Sequence, residues 1–169
     1  MGRWQRILKH RWFDETDARK ALGGGVMARI TERIATSERC HSGEIRVVVE
    51  GGLPLSYLWR RASSRDRAVS LFGKLRVWDT ELNNGVLIYL LLAERAIEIV
   101  ADRGMARHVP HAHWQAIIAG MRDPLRSGQI EKALIDAIEA VDAVLQQHAA
   151  RHPAGTADKN ELPDRPLTL

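Results

Sequence analysis

The feature that most restricts how this chain can fold is an uninterrupted apolar run, Val86 to Ala93, set between a polar loop and a charged reversal. Eight residues fall far short of the roughly 20 that a membrane-spanning helix needs. A near-continuous apolar segment of this length predicts a strand, Val86 to Leu92, covered on both faces as at the centre of an α/β sheet. Ala93-Glu94-Arg95 then reads as a short reversal, and Ala96 to Ala101 returns as the second arm of a hairpin.

The flanking segments supply the covering layers. After the Gly23-Gly24-Gly25 break, Met27, Ile30 and Ile34 mark one face of a helix reaching about Arg39. His41-Ser42-Gly43 stops it. Ile45, Val47 and Val49 alternate with Arg46 and Glu50 in a strand that ends at Gly51-Gly52. Leu53 to Arg61 suits a short helix, and Ser63 or Ser64 an N-cap for another, with Ala68, Val69, Phe72 and Leu75 inward. Trp114, Ile117, Ile118, Met121 and Leu125 make one helical stripe, and Ile130 through Leu145 a longer one beyond Ser127-Gly128. A connection holding a helix makes the first two strands parallel with a right-handed crossover, and the hairpin adds an antiparallel third. The expected fold is a three-layer α/β/α sandwich around a small mixed sheet. We divide the chain into a basic N-terminal arm (1–25), an α/β domain (26–148) and an extended tail (149–169), the last from Pro153, Gly155, Pro163 and Pro166.

The formal net charge of +4 is unevenly placed. Arg3, Arg6, Lys9, Arg11, Arg19, Lys20 and Arg29 outweigh Asp14, Glu15 and Asp17, so the first thirty residues hold the whole surplus. A neutral body argues against a nucleic-acid protein, whose basic residues cover a broad face. Trp4, Ile7, Leu8 and Trp12 follow helical spacing among the basic residues of segment 3–12. That pattern fits a helix lying on an anionic membrane surface, or an arm packing its two tryptophans on the domain body; packing on the body is the expected outcome. The single cysteine, Cys40, and the absence of an apolar stretch after the basic start predict a cytoplasmic protein, peripheral to the membrane if the arm binds lipid.

The topology predicts where polar groups gather. The loop before Val86, the end of the hairpin at Asp102-Arg103-Gly104, and the start of the first strand at His41 and Glu44 fall along one sheet edge. Asp79, Glu81, Asn83 and Asp102 then become candidate ligands for calcium or another divalent cation, which wants several oxygen donors. Glu44, Asn84, Gly85 and Arg103 complete the edge, and His41 is the candidate for proton transfer. The loop is not an EF-hand, whose late bidentate Glu would fall on Leu90. Asn84-Gly85 is also a favoured turn dipeptide, and Asp79 or Thr80 can serve simply as caps. Cys40-His41 lacks an evident third group for thiolate chemistry. His108, His111 and His113 lack the spacing of a zinc pair, and Gly23-Gly24-Gly25 lacks the Lys-Ser/Thr of a phosphate loop.

From Ser70 to about Gly104 the chain resembles the TPM domain family. Asn84-Gly85-Val86-Leu87-Ile88 is similar to that family's Asp-Asn-Gly-Val-Leu strand opening, and Ile97-Glu98-Ile99 with Asp102-Arg103-Gly104 to its second hairpin strand and glycine turn. Ser37 to Arg46 resembles the Ser-Glu-x-x-His-x-Gly-Glu-Ile-Arg segment of short bacterial members, and Asn160 to Pro166 resembles their tail. The resemblance covers about Ala28 to His148 plus the tail. It implies a three-layer fold, a divalent-cation site at the Asn-Gly edge, and an acid-phosphatase activity found in some members. This chain carries Asn83 where many members have Asp, and His108-Val109-Pro110-His111 where many have an Asp. Two functions follow as expectations. One is a binding or assembly module working near the membrane with a protein partner. The other is a weak metal-dependent phosphomonoester hydrolase.

Overall fold

The computed structural model describes residues 2–149 and 160–169. The Pro153 and Gly155 signals of the tail lie outside the described residues. The elements run α1 (Arg3–Arg11), α2 (Glu15–Ala21), α3 (Val26–Glu38), β1 (Ile45–Glu50), α4 (Leu55–Trp59), α5 (Ser64–Lys74), β2 (Val86–Leu91), a 3-10 turn (Leu92–Glu94), β3 (Ala96–Ala101), α6 (Arg103–Ala106), α7 (His111–Gly120), α8 (Arg122–Arg126), α9 (Ile130–His148) and β4 (Leu167–Thr168).

The apolar run is the second strand of a four-stranded sheet ordered β3-β2-β1-β4. β1 pairs parallel with β2, Ile45 opposite Val86, and β2 pairs antiparallel with β3, Val86 opposite Ala101. Every residue of β1 and β2 is buried. Their alternating side chains feed two separate cores, as the two-fold period of a strand requires. Ile45, Val47, Val49, Val86, Ile88 and Leu90 meet helices α2, α3, α7, α8 and α9. Val48, Leu87, Tyr89 and Leu91 meet Leu58 of α4 and Ala68 and Leu71 of α5. The expected α/β/α sandwich is the fold.

Three local features differ from the sequence reading. The Trp114–Leu125 stripe is two helices, because Pro124 in the first turn of α8 has no N–H to continue the ladder from α7. The tail adds a strand: Leu167 and Thr168 pair with Val48 and Val49 of β1. And α2 with its C-cap places Ala18 and Leu22 in the core, its start fixed by Asp14, whose carboxylate accepts from Thr16 and Asp17 N–H groups.

The expectation that Trp4 and Trp12 pack on the body is overturned. They are 69% and 82% exposed. What seats α1 is polar. Its other side carries His10, buried, whose Nδ1 accepts from Leu53 N–H at 2.9 Å and whose Nε2 meets Glu94 Oε1 at 2.9 Å. Gly51 and Gly52 make the seat possible, because a Cβ at either would strike the backbone carbonyls of Asp14 or His10. Among the described residues no helix is long and apolar enough to cross a membrane.

Candidate functional site

The sheet register brings the three predicted segments to one rim. Val86 N–H donates to Glu44 O at 2.8 Å, Asp102 N–H to Gly85 O at 2.9 Å, and Gly104 N–H to Asn83 O at 3.0 Å. Contact is so close that a Cβ on Gly85 would strike the carbonyl of Val77, and one on Gly104 that of Asn83. Asn84 is buried here and ties the rim across chain segments: its Nδ2 donates to Ser42 O at 2.7 Å, and its N–H to Thr80 Oγ1 at 3.1 Å. Asp102, also buried, caps α6 by accepting from Arg103 N–H at 2.7 Å.

Two oxygens are left over. Asn84 Oδ1 and Asp102 Oδ2 are buried and make no hydrogen bond. A buried acceptor without a donor is costly, by about 1–3 kcal/mol, unless something else supplies positive charge. Asn84 also lines a cleft of about 310 Å³ with Ser42, Gly104, Met105, His108 and His148. The His108 and His148 rings stack there with centroids 6.2 Å apart.

The remaining predicted ligands do not join them. Asp79 is exposed and pairs with Arg76 at 2.6 Å. Glu81 is exposed, its N–H donating to the Glu161 carboxylate at 3.0 Å. Asn83 Oδ1 is taken by the Arg103 guanidinium, from Nε at 2.9 Å and Nη2 at 2.8 Å, and its φ of +54° holds the turn open. Glu44 is buried and accepts from Leu162 N–H at 3.1 Å, fastening the tail. Among the described residues no three His, Cys, Asp or Glu side chains are grouped to hold a metal. Asp79, Glu81, Asn83 and Asp102 therefore do not fit a cation as one ligand set; Asp102 with Asn84 is the part of the rim whose oxygens remain available.

His41 lies away from solvent, 1% exposed. Its Nδ1 accepts from Gly43 N–H at 3.1 Å, so Nε2 carries the proton toward Asp142 Oδ1 at 3.2 Å and Ser37 Oγ at 3.0 Å. Ser37 Oγ donates to Asp142 Oδ1 at 2.7 Å. Burial would raise the Asp142 pKa, but hydrogen bonds from Gln146, Ser37 and Arg33 outweigh it, leaving the carboxyl below its usual range. This cluster joins α3, α9 and the approach to β1. No hint of it was available, because Ser37 and Asp142 stand 105 positions apart.

The second surface is α1. Arg6 Nε reaches Glu94 Oε1 at 2.7 Å, and Arg6 Nη2 reaches Ala62 O at 2.8 Å. The hydrogen bonds from His10 and Arg6 pull the Glu94 carboxyl down to about 2 against the opposing effect of burial. With its inward side held this way and Ile7 packed on the core, α1 turns Trp4, Leu8 (61% exposed) and Trp12 to solvent. Lys9 and Arg11 are exposed beside them. α4, which packs against α1, presents Leu55 and Trp59, followed by exposed Arg60 and Arg61.

Comparison with known proteins follows the same architecture. The TPM domain family model matches residues 16–144. The BA42 protein of the psychrophilic bacterium Bizionia argentinensis is 27% identical, with a TM-score of 0.70 over 84% of this chain and 91% of that one. The N-terminal domain of a protein from P. gingivalis is 24% identical, with a TM-score of 0.56 over 72% of this chain and 76% of that one, and is similar in fold. No curated protein matches.

Proposed function

The chain belongs to the TPM domain family, and from that premise we propose that it is a binding module that docks on anionic membrane surfaces through the outward face of α1. The observation that carries this reading is the exposure of Trp4, Leu8 and Trp12 on a helix whose opposite side is fixed to the body. Large apolar side chains grouped on a surface usually mark something they bind. Tryptophan prefers the headgroup boundary, where its ring is buried and its N–H stays wet. Lys9 and Arg11 add attraction to anionic lipid, and the helix needs no refolding to present these groups.

Vesicles of phosphatidylserine and phosphatidylcholine test it. The chain should pellet with them, its tryptophan emission should shift to the blue, and added salt should release it. Trp4→Ser with Trp12→Ser should abolish all three effects. Binding that survives the double substitution would refute the docking face. So would self-association through Trp4 and Trp12 that the same substitutions dissolve while vesicles pull down nothing.

The unmatched oxygens of Asn84 and Asp102 support a second role at the rim, the holding of calcium or another hard divalent cation. Such a cation would supply the positive charge those acceptors lack. Calcium should then raise the melting temperature in proportion to occupancy, and Asp102→Asn should remove the rise. We propose no phosphate hydrolysis, since His41 is buried with both ring nitrogens engaged and Asp79 and Glu81 face solvent.

A further inference from the structure

Among the described residues two arginines are buried beside this sheet, and a carboxylate pairs with one of them. Arg67 meets Glu50 with Nε at 2.9 Å and Nη2 at 2.6 Å, a two-pronged pair completed by Tyr89 Oη donating to Glu50 at 2.6 Å. Arg46 on β1 is equally buried, at 8% exposed. Its Nη1 donates to the carbonyl oxygens of Pro163 and Arg165, both at 2.6 Å. No carboxylate pairs with it among the described residues. Among the described residues no acceptor faces its Nε or Nη2. A guanidinium withdrawn from water without an opposing charge is held at a cost. Burial correspondingly pushes its pKa down.

That charge lines a cleft of about 700 Å³ between α2, α3 and the tail. The size suits a small molecule. Arg19 and Arg165 also line it, whereas no Asp or Glu among the described residues does, and Leu22, Met27 and Leu167 give it apolar walls. We propose that this cleft binds a small oxyanion with an apolar body, a phosphate or carboxylate head received by Arg46 beside a hydrocarbon portion against Leu22 and Met27. Arg46 also fastens the tail, but that uses one of its three nitrogens and needs no charge. Nε and Nη2, the two that meet no acceptor among the described residues, form a planar fork of the sort that matches a phosphate or carboxylate edge.

Hexyl phosphate, inorganic phosphate and hexanol, titrated into the full chain, test the proposal by thermal shift and by amide chemical shifts of Leu22, Met27 and Thr168. Hexyl phosphate should raise the melting temperature and move those signals at millimolar concentration or below, inorganic phosphate more weakly, and hexanol not at all. Arg46→Gln, which removes the guanidinium, should weaken hexyl phosphate by at least about tenfold. Should that variant fail to fold, the exposed Arg165→Glu should weaken it through charge alone. Vesicles bearing phosphatidic acid, offered to the Trp4→Ser, Trp12→Ser chain, assign the source: retention lost with Arg46→Gln points to a lipid headgroup, and response to the soluble phosphate only points to a free metabolite. Absence of any response, or an equal response in wild type and both arginine variants, overturns the site.

Discussion

Ser37, His41 and Asp142 are the three side-chain types of a nucleophilic relay, but their hydrogen bonds run in another direction. A relay needs the serine proton to go to imidazole, with the carboxylate behind the ring. Here Ser37 gives its proton to Asp142, and Gly43 occupies the ring nitrogen that a base would leave facing the carboxylate. The trio works as a bolt. Ser37→Ala should lower stability by about 1–3 kcal/mol, because it strips a donor from a carboxylate that stays buried. Urea unfolding checks it, and an unchanged midpoint would show that Asp142 finds another donor. Adjacent residues Cys40 and His41 drew attention in the sequence for their chemistry, but the information that decides His41's role lies on α9. The rim residues divide on the same principle. Asn84, Gly85 and Asp102 were legible because strand register alone puts them together. Asp79 and Asn83 were not, because single arginines, Arg76 and Arg103, draw their side chains away.

At the scale of elements, the sequence was most informative where one physical demand dominated. The β2 run, the hairpin and the α9 stripe each express burial at a fixed period, and all three form. Helix α1 shows the opposite case. Its apolar residues form a stripe, and burying such a stripe is the usual reason for one. The partner that decides which side turns inward is Glu94, 84 positions from His10, and no periodicity reports it. The two sides should therefore respond differently to substitution. Trp4→Ser with Trp12→Ser should leave unfolding free energy within about 0.5 kcal/mol of wild type, as changes on a solvated surface do. His10→Ala should cost about 2 kcal/mol, since it leaves the Leu53 N–H and part of Glu94 unmatched. Chemical denaturation of both variants decides between this arrangement and one with the tryptophans inward, which would reverse the order.

Across the whole molecule, acid should loosen the fold through carboxylates held ionised. Glu94 titrates at about 2 when folded against an ordinary 4.5, so its contribution is complete above 4.5, shrinks as the pH falls, and is lost on passing about 2. Asp142, also lowered, acts in the same direction. Melting temperature should hold steady from neutral pH to about 5 and then drop; Glu94→Gln should flatten part of that drop. Parallel curves for variant and wild type would show that Glu94 is uninvolved. The clamp from Arg46 to the carbonyl of Arg165 spans 119 positions, joining an early strand to the far end of the chain. At about 5–20 residues per second, a ribosome takes roughly ten seconds to make that interval. For all that time the outer side of β1 has no neighbour, and a nascent chain in that condition offers a ready template for any extended peptide nearby. Arrival of Leu167 and Thr168 closes that window, so a strand of two residues is the last safeguard against mispairing during synthesis.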